Sequence, residues 1–80
     1  MKEQIVKLIV GNLVEIIPEL SEGSVSLDET FVDMGANSID RAELIMLTLE
    51  RLDLEVSRIE FVSAQTVNEL ADLIIQKQQR

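Results

Sequence analysis

The first apolar pattern along the chain predicts a helix over residues 2–17. Apolar positions recur three or four residues apart, while polar residues such as Lys7 and Glu15 occupy the opposite face. Pro18 disfavours the helical conformation at Ile17, so the helix ends there or one residue earlier. The apolar positions are Ile5, Val6, Leu8, Ile9, Leu13, Ile16 and Ile17.

Residues 19–37 show no sustained period, and we predict that they form a long loop. Small and turn-forming residues punctuate this stretch: Ser21, Gly23, Ser24, Ser26 and Gly35. The apolar residues expected to hold it against the core are Leu20, Val25, Leu27 and Phe31. A connection of this length without secondary structure is uncommon in a compact domain and is usually functional.

Helical periodicity returns after the loop. A second helix is predicted over residues 38–52, with Asn37 or Ser38 as its N-cap and with Asp40 and Glu43 near its positive end. Two capping-box spacings follow. Ser57 with Glu60 predicts a short third helix, and Thr66 with Glu69 predicts a fourth helix over residues 67–76. The inner stripe of the fourth helix comprises Val67, Leu70, Ala71 and Ile74.

The order of these elements predicts an all-α fold, because no strand pattern and no internal repeat interrupts it. We expect an antiparallel four-helix bundle with a long first loop and a short third helix. A chain of 80 residues can bury only one core, so residues 1–80 are expected to form a single domain. We also expect the protein to be a monomer.

Composition constrains how this domain is stabilised and where it works. With 46% hydrophobic residues and no cysteine, folding depends on apolar burial without disulfides. The longest apolar stretches are interrupted by Lys7 and Thr48 and fall far short of the ~20 residues that span a bilayer. Lys7 also interrupts any signal-peptide core. We therefore expect a cytoplasmic protein without a membrane partner.

The strong negative charge narrows the range of partners. Fifteen acidic and seven basic residues give a net charge of −8, which repels nucleic acid and anionic lipid. Two phenylalanines are the only aromatic residues, so stacking platforms for bases are scarce. A basic protein surface is the complementary partner, and the alternative is that the acidity serves solubility alone.

The residue types that are missing argue against independent catalysis. The chain has no histidine and no cysteine, so it lacks the usual general base, thiol nucleophile and soft metal ligands. Asp33, Gly35 and Asn37 alternate as calcium-loop ligands would, but the sixth loop position is Ser38 instead of glycine and the twelfth is Leu44 instead of glutamate. We predict neither an enzyme nor a metal site.

The segment 33–40 places the hydroxyl of Ser38 after a small-residue turn and at the start of a helix. A phosphodiester on Ser38 would lie beside free backbone N–H groups and the positive end of the helix dipole. Gly35 and Ala36 leave room for a bulky substituent to approach. The alternative is that Ser38 is a plain N-cap serine.

Several motifs in this order resemble those of acyl carrier proteins. The pattern Asp-x-Gly-x-x-Ser-Ile-Asp at 33–40 is preceded by Thr-Phe-Val at 30–32 and followed by Ala-Glu-Leu at 42–44. Thr-Val at 66–67, which opens the last predicted helix, also resembles that family. The resemblance implies that Ser38 accepts 4′-phosphopantetheine from coenzyme A through a phosphopantetheinyl transferase. The thiol of that group would then hold acyl cargo as a thioester.

The run 35–43 resembles the free-standing carriers of polyketide β-branching cassettes more closely than it resembles fatty acid carriers. Asn37 is neutral where fatty acid carriers usually have an acidic residue, and Arg41 adds a positive charge. The resemblance implies an acetyl or malonyl cargo, loaded by an acyltransferase or a ketosynthase-like decarboxylase. The acetyl unit would pass to a hydroxymethylglutaryl-CoA synthase-like enzyme. The alternatives are a fatty acid carrier, a D-alanyl carrier, or a helical interaction module without a prosthetic group.

The second helix carries more apolar surface than one core face requires. Seven apolar residues spread across roughly 220° of its helical wheel, and a core face needs about half of that. The resemblance places the surplus on the partner-facing side, with Arg41 as a specificity element. The predicted recognition residues are Ile39, Asp40, Arg41, Ala42, Glu43 and Met46. The alternative is that the loop buries the whole arc and Arg41 is a solvated surface residue.

Overall fold

The computed structural model describes residues 1–79, and it confirms the all-α fold. Its α-helices are α1 (Lys2–Ile16), α2 (Ser38–Arg51) and α3 (Val67–Gln78). Two 3₁₀ helices, Glu22–Ser24 and Arg58–Phe61, lie in the connections. Within residues 1–79, no helix has the length and apolar character needed to cross a membrane.

The predicted short third helix is a 3₁₀ helix, so the described chain contains three α-helices instead of four. The Ser57 hydroxyl accepts a hydrogen bond from the Ile59 N–H at 3.3 Å, as an N-cap does. The helix covers only four residues, a length at which 3₁₀ geometry is common. Phe61, at its end, is fully buried and anchors the segment in the core.

Helix α1 packs against both α2 and α3. Its buried apolar stripe, Ile5, Ile9 and Leu13, has the predicted helical spacing. Ile17 leaves the helical conformation, with φ −121° and ψ 87°, immediately before Pro18. The predicted stop at this proline is therefore confirmed, with the helix ending one residue before Ile17.

Helix α3 begins as its capping residues predict. The Thr66 hydroxyl accepts a hydrogen bond from the Glu69 N–H at 3.1 Å. The Glu69 carboxylate accepts one from the Gln65 N–H at 2.8 Å, one residue earlier than a standard capping box. The predicted inner stripe is buried, and the helix runs two residues past the predicted end. The buried residues are Val67, Leu70, Ala71 and Ile74. Arg80, in the predicted frayed tail, lies outside the described residues.

The long loop is fixed to the start of α3 by hydrogen bonds. The Phe31 N–H donates to the Gln65 carbonyl at 2.8 Å, and the Asn68 N–H donates to the Leu27 carbonyl at 3.2 Å. The Asn68 side chain also donates to the Asp28 carboxylate at 2.7 Å. The loop residues buried in the core are Phe31, Met34 and Ala36. The loop is therefore a packed part of the domain and holds the segment before α2 in place.

A buried polar network joins α1 to α2. The Asn12 side chain is fully buried, and its amide nitrogen donates to the Thr48 hydroxyl at 2.9 Å. Arg51 donates to the Asn12 side-chain oxygen at 2.6 Å and to the Glu15 carboxylate at 2.6 Å. These hydrogen bonds satisfy Asn12 inside the core. They also lower the pKa of the Glu15 carboxyl below its ordinary value, because Arg51 donates to that carboxylate and adds a nearby positive charge.

Helix α2 ends in a Schellman motif that has aspartate at the left-handed position. The Leu54 N–H donates to the Leu49 carbonyl at 3.0 Å, and the Asp53 N–H donates to the Glu50 carbonyl at 3.1 Å. Asp53 has φ 52°. This conformation favours glycine, and a negative charge at the C-terminal end of a helix is unfavourable.

Candidate functional site

Ser38 is the first residue of α2, but it is not the N-cap. Asn37 occupies that position, and its side-chain oxygen accepts a hydrogen bond from the Asp40 N–H at 2.8 Å. The Asp40 carboxylate in turn accepts one from the Asn37 N–H at 3.2 Å. This reciprocal pair is a capping box. The alternative that Ser38 is a plain capping serine is therefore wrong.

The hydroxyl of Ser38 is accessible and uncommitted. The residue is exposed, and its side chain forms no hydrogen bond with any residue in the range 1–79. Since Asn37 satisfies the Asp40 N–H, the N–H groups of Ser38 and Ile39 remain without a protein acceptor in the described chain. An anionic substituent on Ser38 would meet these donors and the positive end of the helix dipole. The site therefore fits a phosphodiester.

The turn before Ser38 depends on the conformation of Gly35. This residue has φ 98°, a value that side chains disfavour. Its N–H donates to the Val32 carbonyl at 3.0 Å, and the Ala36 N–H donates to the Phe31 carbonyl at 2.9 Å. A Cβ added at Gly35 would meet no atom within 4 Å. Glycine is therefore needed here for the backbone turn, which directs the chain from the buried Phe31 to the exposed Ser38, while the space around it is open as expected.

A groove of about 410 Å³ begins at Ser38 and runs between α2 and the second 3₁₀ helix. Its lining is mainly apolar, with an arginine from each element. The lining residues are Ser38, Arg41, Ala42, Ile45, Arg58, Ile59 and Val62. A chain attached to the Ser38 oxygen would have this groove directly beside it.

The predicted recognition residues differ in exposure. Ile39 and Met46 are 73% and 50% exposed, and Glu43 is also exposed. Ala42 is half-buried where it lines the groove. The loop therefore does not bury the whole apolar arc of α2, and apolar surface remains beside Ser38. Asp40 is half-buried, and its carboxylate is engaged in the capping box.

Two apolar residues beside this surface were not predicted. Ile59 and Val62 are 71% and 60% exposed, and both line the groove. The sequence contained one indication of their exposure: neither residue belongs to the apolar stripe of a long helix, so neither was assigned to the core. We refer to the four exposed apolar residues Ile39, Met46, Ile59 and Val62 as the Ser38 apolar surface.

The two arginines of the groove contact different partners. One Arg41 guanidinium nitrogen donates to the carbonyls of Val62 and Ala64, at 3.1 and 3.2 Å. Arg58 donates to the Met46 sulfur at 3.0 Å. Arg41 is half-buried, so the alternative that it is a freely solvated surface residue is wrong.

The fold and this serine-centred site define a class of protein, and comparison with known proteins identifies the same class. The family model described as "Phosphopantetheine attachment site" matches residues 7–74. The chain therefore belongs to this family and is an acyl carrier protein, a carrier on which other enzymes act. The resemblance noted in the sequence is confirmed, as is covalent 4′-phosphopantetheine as the cofactor.

Individual relatives cover almost the whole chain. It is 36% identical over 78 residues to the polyketide biosynthesis acyl-carrier-protein AcpK of Bacillus subtilis (strain 168), covering 98% of this chain and 95% of that protein. It is 33% identical over 78 residues to an acyl carrier protein of Buchnera aphidicola subsp. Acyrthosiphon pisum (strain Tuc7), covering 96% and 91%.

A solved structure resembles the fold closely. It is described as the crystal structure of the curacin biosynthetic pathway HMG synthase in complex with acetyl donor-ACP. The matching chain superposes with a TM-score of 0.86 at 39% identity, covering 92% of this chain and 95% of that chain.

Proposed function

We propose that Ser38 carries the 4′-phosphopantetheine group and that the loaded protein donates acetyl units for β-branching during polyketide biosynthesis. The observation that carries the assignment to Ser38 is its free, exposed hydroxyl at the first position of α2. Asn37 performs the capping, so esterification of Ser38 would cost the helix no capping bond. A phosphopantetheinyl transferase is the partner required for this modification.

In that modification the chain would present the Ser38 hydroxyl and stabilise the phosphodiester that forms. The Ser38 Oγ would form a bond to the pantetheine-bearing phosphorus of the coenzyme A pyrophosphate while the bond from that phosphorus to the bridging oxygen breaks. Adenosine 3′,5′-bisphosphate would leave with that oxygen, and the hydroxyl proton would pass to a base of the transferase or to water. The N–H groups of Ser38 and Ile39 lie where they would stabilise the phosphodiester. Once bound, the group supplies the thiol that this cysteine-free chain lacks.

The acetyl-donor role is supported by two relatives of this chain. One is named for polyketide biosynthesis, and the other is an acetyl donor in complex with an HMG synthase. We therefore infer that an acyltransferase or a ketosynthase-like decarboxylase supplies the acetyl or malonyl cargo. A hydroxymethylglutaryl-CoA synthase-like enzyme then receives acetyl. The net charge of −8 and the exposed Glu43 favour a basic surface on that enzyme.

Intact mass measurement with Ser38→Ala tests the attachment site. Wild-type protein incubated with coenzyme A and a phosphopantetheinyl transferase should gain the mass of one phosphopantetheine group, and Ser38→Ala should gain none. Ser57→Ala is the matched control, because Ser57 is also an exposed serine before a short helical segment and should leave loading intact. Modification of Ser38→Ala would overturn the assignment.

Folding of Ser38→Ala should be nearly unchanged, which keeps the loading result interpretable. Ser38 is exposed and is not the cap, and alanine has the higher helix propensity. We expect its free energy of unfolding to stay within about 0.5 kcal/mol of wild type. Urea unfolding followed by circular dichroism measures this difference.

Cargo transfer tests the pathway assignment. The holo protein should be loaded with acetyl and should pass it to a hydroxymethylglutaryl-CoA synthase-like enzyme, with an association rate that falls as salt rises. Efficient elongation by fatty acid synthase enzymes, or charging by a D-alanine ligase, with no transfer to the synthase-like enzyme would reassign the carrier. A module without a prosthetic group would gain no mass at all.

We further propose that residues 1–80 form one carrier domain that works as a monomer in the cytoplasm. One continuous hydrophobic cluster joins α1, α2, α3 and the long loop, which supports a single domain. A single urea transition and a monomer mass by light scattering are the expected results. Two separate transitions or a dimer mass would contradict this proposal.

A further inference from the structure

Arg41 joins three segments of the chain around the site. It lies on the first turn of α2, three residues after Ser38, so the two residues share a side of the helix. Its side chain lines the groove with Val62, and on the other side it lines a hollow of about 80 Å³ with Thr30 and Phe31 of the long loop. Arg41 therefore lies between the loop and the second 3₁₀ helix.

The hydrogen bonds of Arg41 satisfy backbone acceptors just beyond that 3₁₀ helix. Val62 is the C-cap of the helix, and Ala64 lies two residues further along the chain. Arg41 donates to the Val62 and Ala64 carbonyls through one nitrogen, at 3.1 and 3.2 Å. A charged donor strengthens such bonds. The guanidinium thus connects α2 to the backbone that follows Phe61.

The hydrogen bonds of Arg41 hold the backbone of the groove wall whose apolar side chains, Ile59 and Val62, are exposed. Phe61 and Ala64 are buried, but Val62 between them is 60% exposed and Ile59 is 71% exposed. The core holds the segment through Phe61 and Ala64, the ion pair of Glu60 with Lys77 ties it to α3, and Arg41 holds its carbonyls from the side of α2. Arg41 therefore connects the two walls of the groove at the end beside Ser38, and the contact of Arg58 with the Met46 sulfur connects them farther along α2.

We propose that Arg41 is a positioning residue that fixes the second 3₁₀ helix against α2 and so sets the shape of the Ser38 apolar surface for a partner enzyme. The inference rests on the proposed carrier function and adds a structural determinant of partner choice. Arg41 acts through its backbone hydrogen bonds, so a partner need not contact its charge.

Two substitutions separate this role from charge recognition. Arg41→Lys keeps the positive charge, but its ammonium lies one bond closer to the backbone than the guanidinium nitrogen that reaches the two carbonyls. Arg41→Met keeps a long apolar stem without the charge or the donors. If positioning is the role, both variants lose function to a similar degree. If a partner reads the charge, Arg41→Lys behaves like wild type.

Hydrogen exchange of the unmodified protein reports the contact without any partner. We expect the amides of Val62 and Ala64, which donate to Ile59 and Phe61, to exchange at least about tenfold faster in both variants. Amides of α1 should keep their wild-type rates. Arg58→Lys is the matched control for this measurement, because Arg58 lines the same groove but donates to the Met46 sulfur instead of a backbone carbonyl.

Steady-state transfer from acetyl-loaded variants to the synthase-like enzyme supplies the functional readout. At a temperature where urea unfolding shows each variant to be folded, KM should rise at least about fivefold with kcat little changed, because docking is impaired while the thioester is intact. Wild-type KM and exchange rates in Arg41→Lys would overturn the proposal. Failure of the variants and wild type alike to gain phosphopantetheine mass would instead overturn the proposed function, leaving the exchange result valid.

Discussion

The position of Ile39 predicts that stability and partner transfer can be separated by one substitution. Ile39 is 73% exposed beside Ser38, whereas Ile9 of α1 is fully buried. Removing a fully buried isoleucine from the core loses about 1.5–3 kcal/mol of transfer free energy, and the cavity left behind raises the total to about 2–5 kcal/mol. The same substitution at the two positions therefore has very different expected costs.

The expected cost at Ile39 follows from its exposure. About a quarter of its surface is removed from water, which scales the transfer term to less than about 0.8 kcal/mol. Alanine recovers a few tenths of a kcal/mol through its higher helix propensity. We expect the free energy of unfolding of Ile39→Ala to lie within about 0.5 kcal/mol of the wild-type value, and that of Ile9→Ala to fall by about 2–5 kcal/mol.

Urea unfolding gives the stability, and acetyl transfer to the synthase-like enzyme gives the function. Ile39→Ala should lower kcat/KM at least about fivefold, the loss expected for truncating an apolar contact of about 1 kcal/mol in an interface. Ile9→Val, which should lose about 0.5–1.5 kcal/mol of stability, is the control and should transfer at the wild-type rate. A loss above about 1.5 kcal/mol for Ile39→Ala, or unchanged transfer, would refute the assignment of this surface to docking.

Three further predictions concern stability. Asn12→Ala should lower the free energy of unfolding by about 2–4 kcal/mol, because it removes one buried and one partly buried hydrogen bond and leaves a cavity. The Asn68 side chain pairs with an aspartate at the surface, so Asn68→Ala should lose about 1 kcal/mol or less. Equal losses of unfolding free energy for the two variants, measured by urea unfolding, would contradict the role of burial. Asp53→Gly should raise thermal stability by about 1 kcal/mol, since glycine suits φ 52° and removes an unfavourable charge, and a lower Tm would exclude this reason. The Glu15–Arg51 pair stabilises the fold above the unfolded-state pKa of Glu15 and loses its effect as pH falls through the lowered folded-state pKa. The stability difference between wild type and Glu15→Gln should therefore be constant near neutral pH and shrink in acid, and a constant difference down to low pH would contradict it.

The local features of the fold were predictable because they depend on neighbouring residues. Helical spacing of apolar residues identified the inner faces of α1 and α3, and Thr66 was recognised as a cap from the residue three positions later. The motif around Ser38 gave the family, which the comparisons confirm. Each of these inferences uses only a few consecutive turns of chain.

The features that sequence reasoning missed depend on contacts between distant segments. Asn12 has a polar side chain, and only its pairing with Thr48, 36 residues away, makes its burial favourable. The choice of Asn37 over Ser38 as the cap required the actual geometry of the turn at Gly35, since both residue types cap helices well.

Arg41 shows most clearly what tertiary structure adds. From its position on α2 the sequence indicated a charged residue beside Ser38, available to solvent or to a partner. The fold brings the carbonyls of residues 62 and 64 within reach of its guanidinium, across 21 and 23 positions of chain. A side chain's residue type fixes which hydrogen bonds it can make, but the packing of distant segments decides which acceptors it meets. The amino-acid sequence by itself determined the three long helices and the family, while the tertiary structure decided the 3₁₀ form of the short segment and how the surface around Ser38 is held in shape.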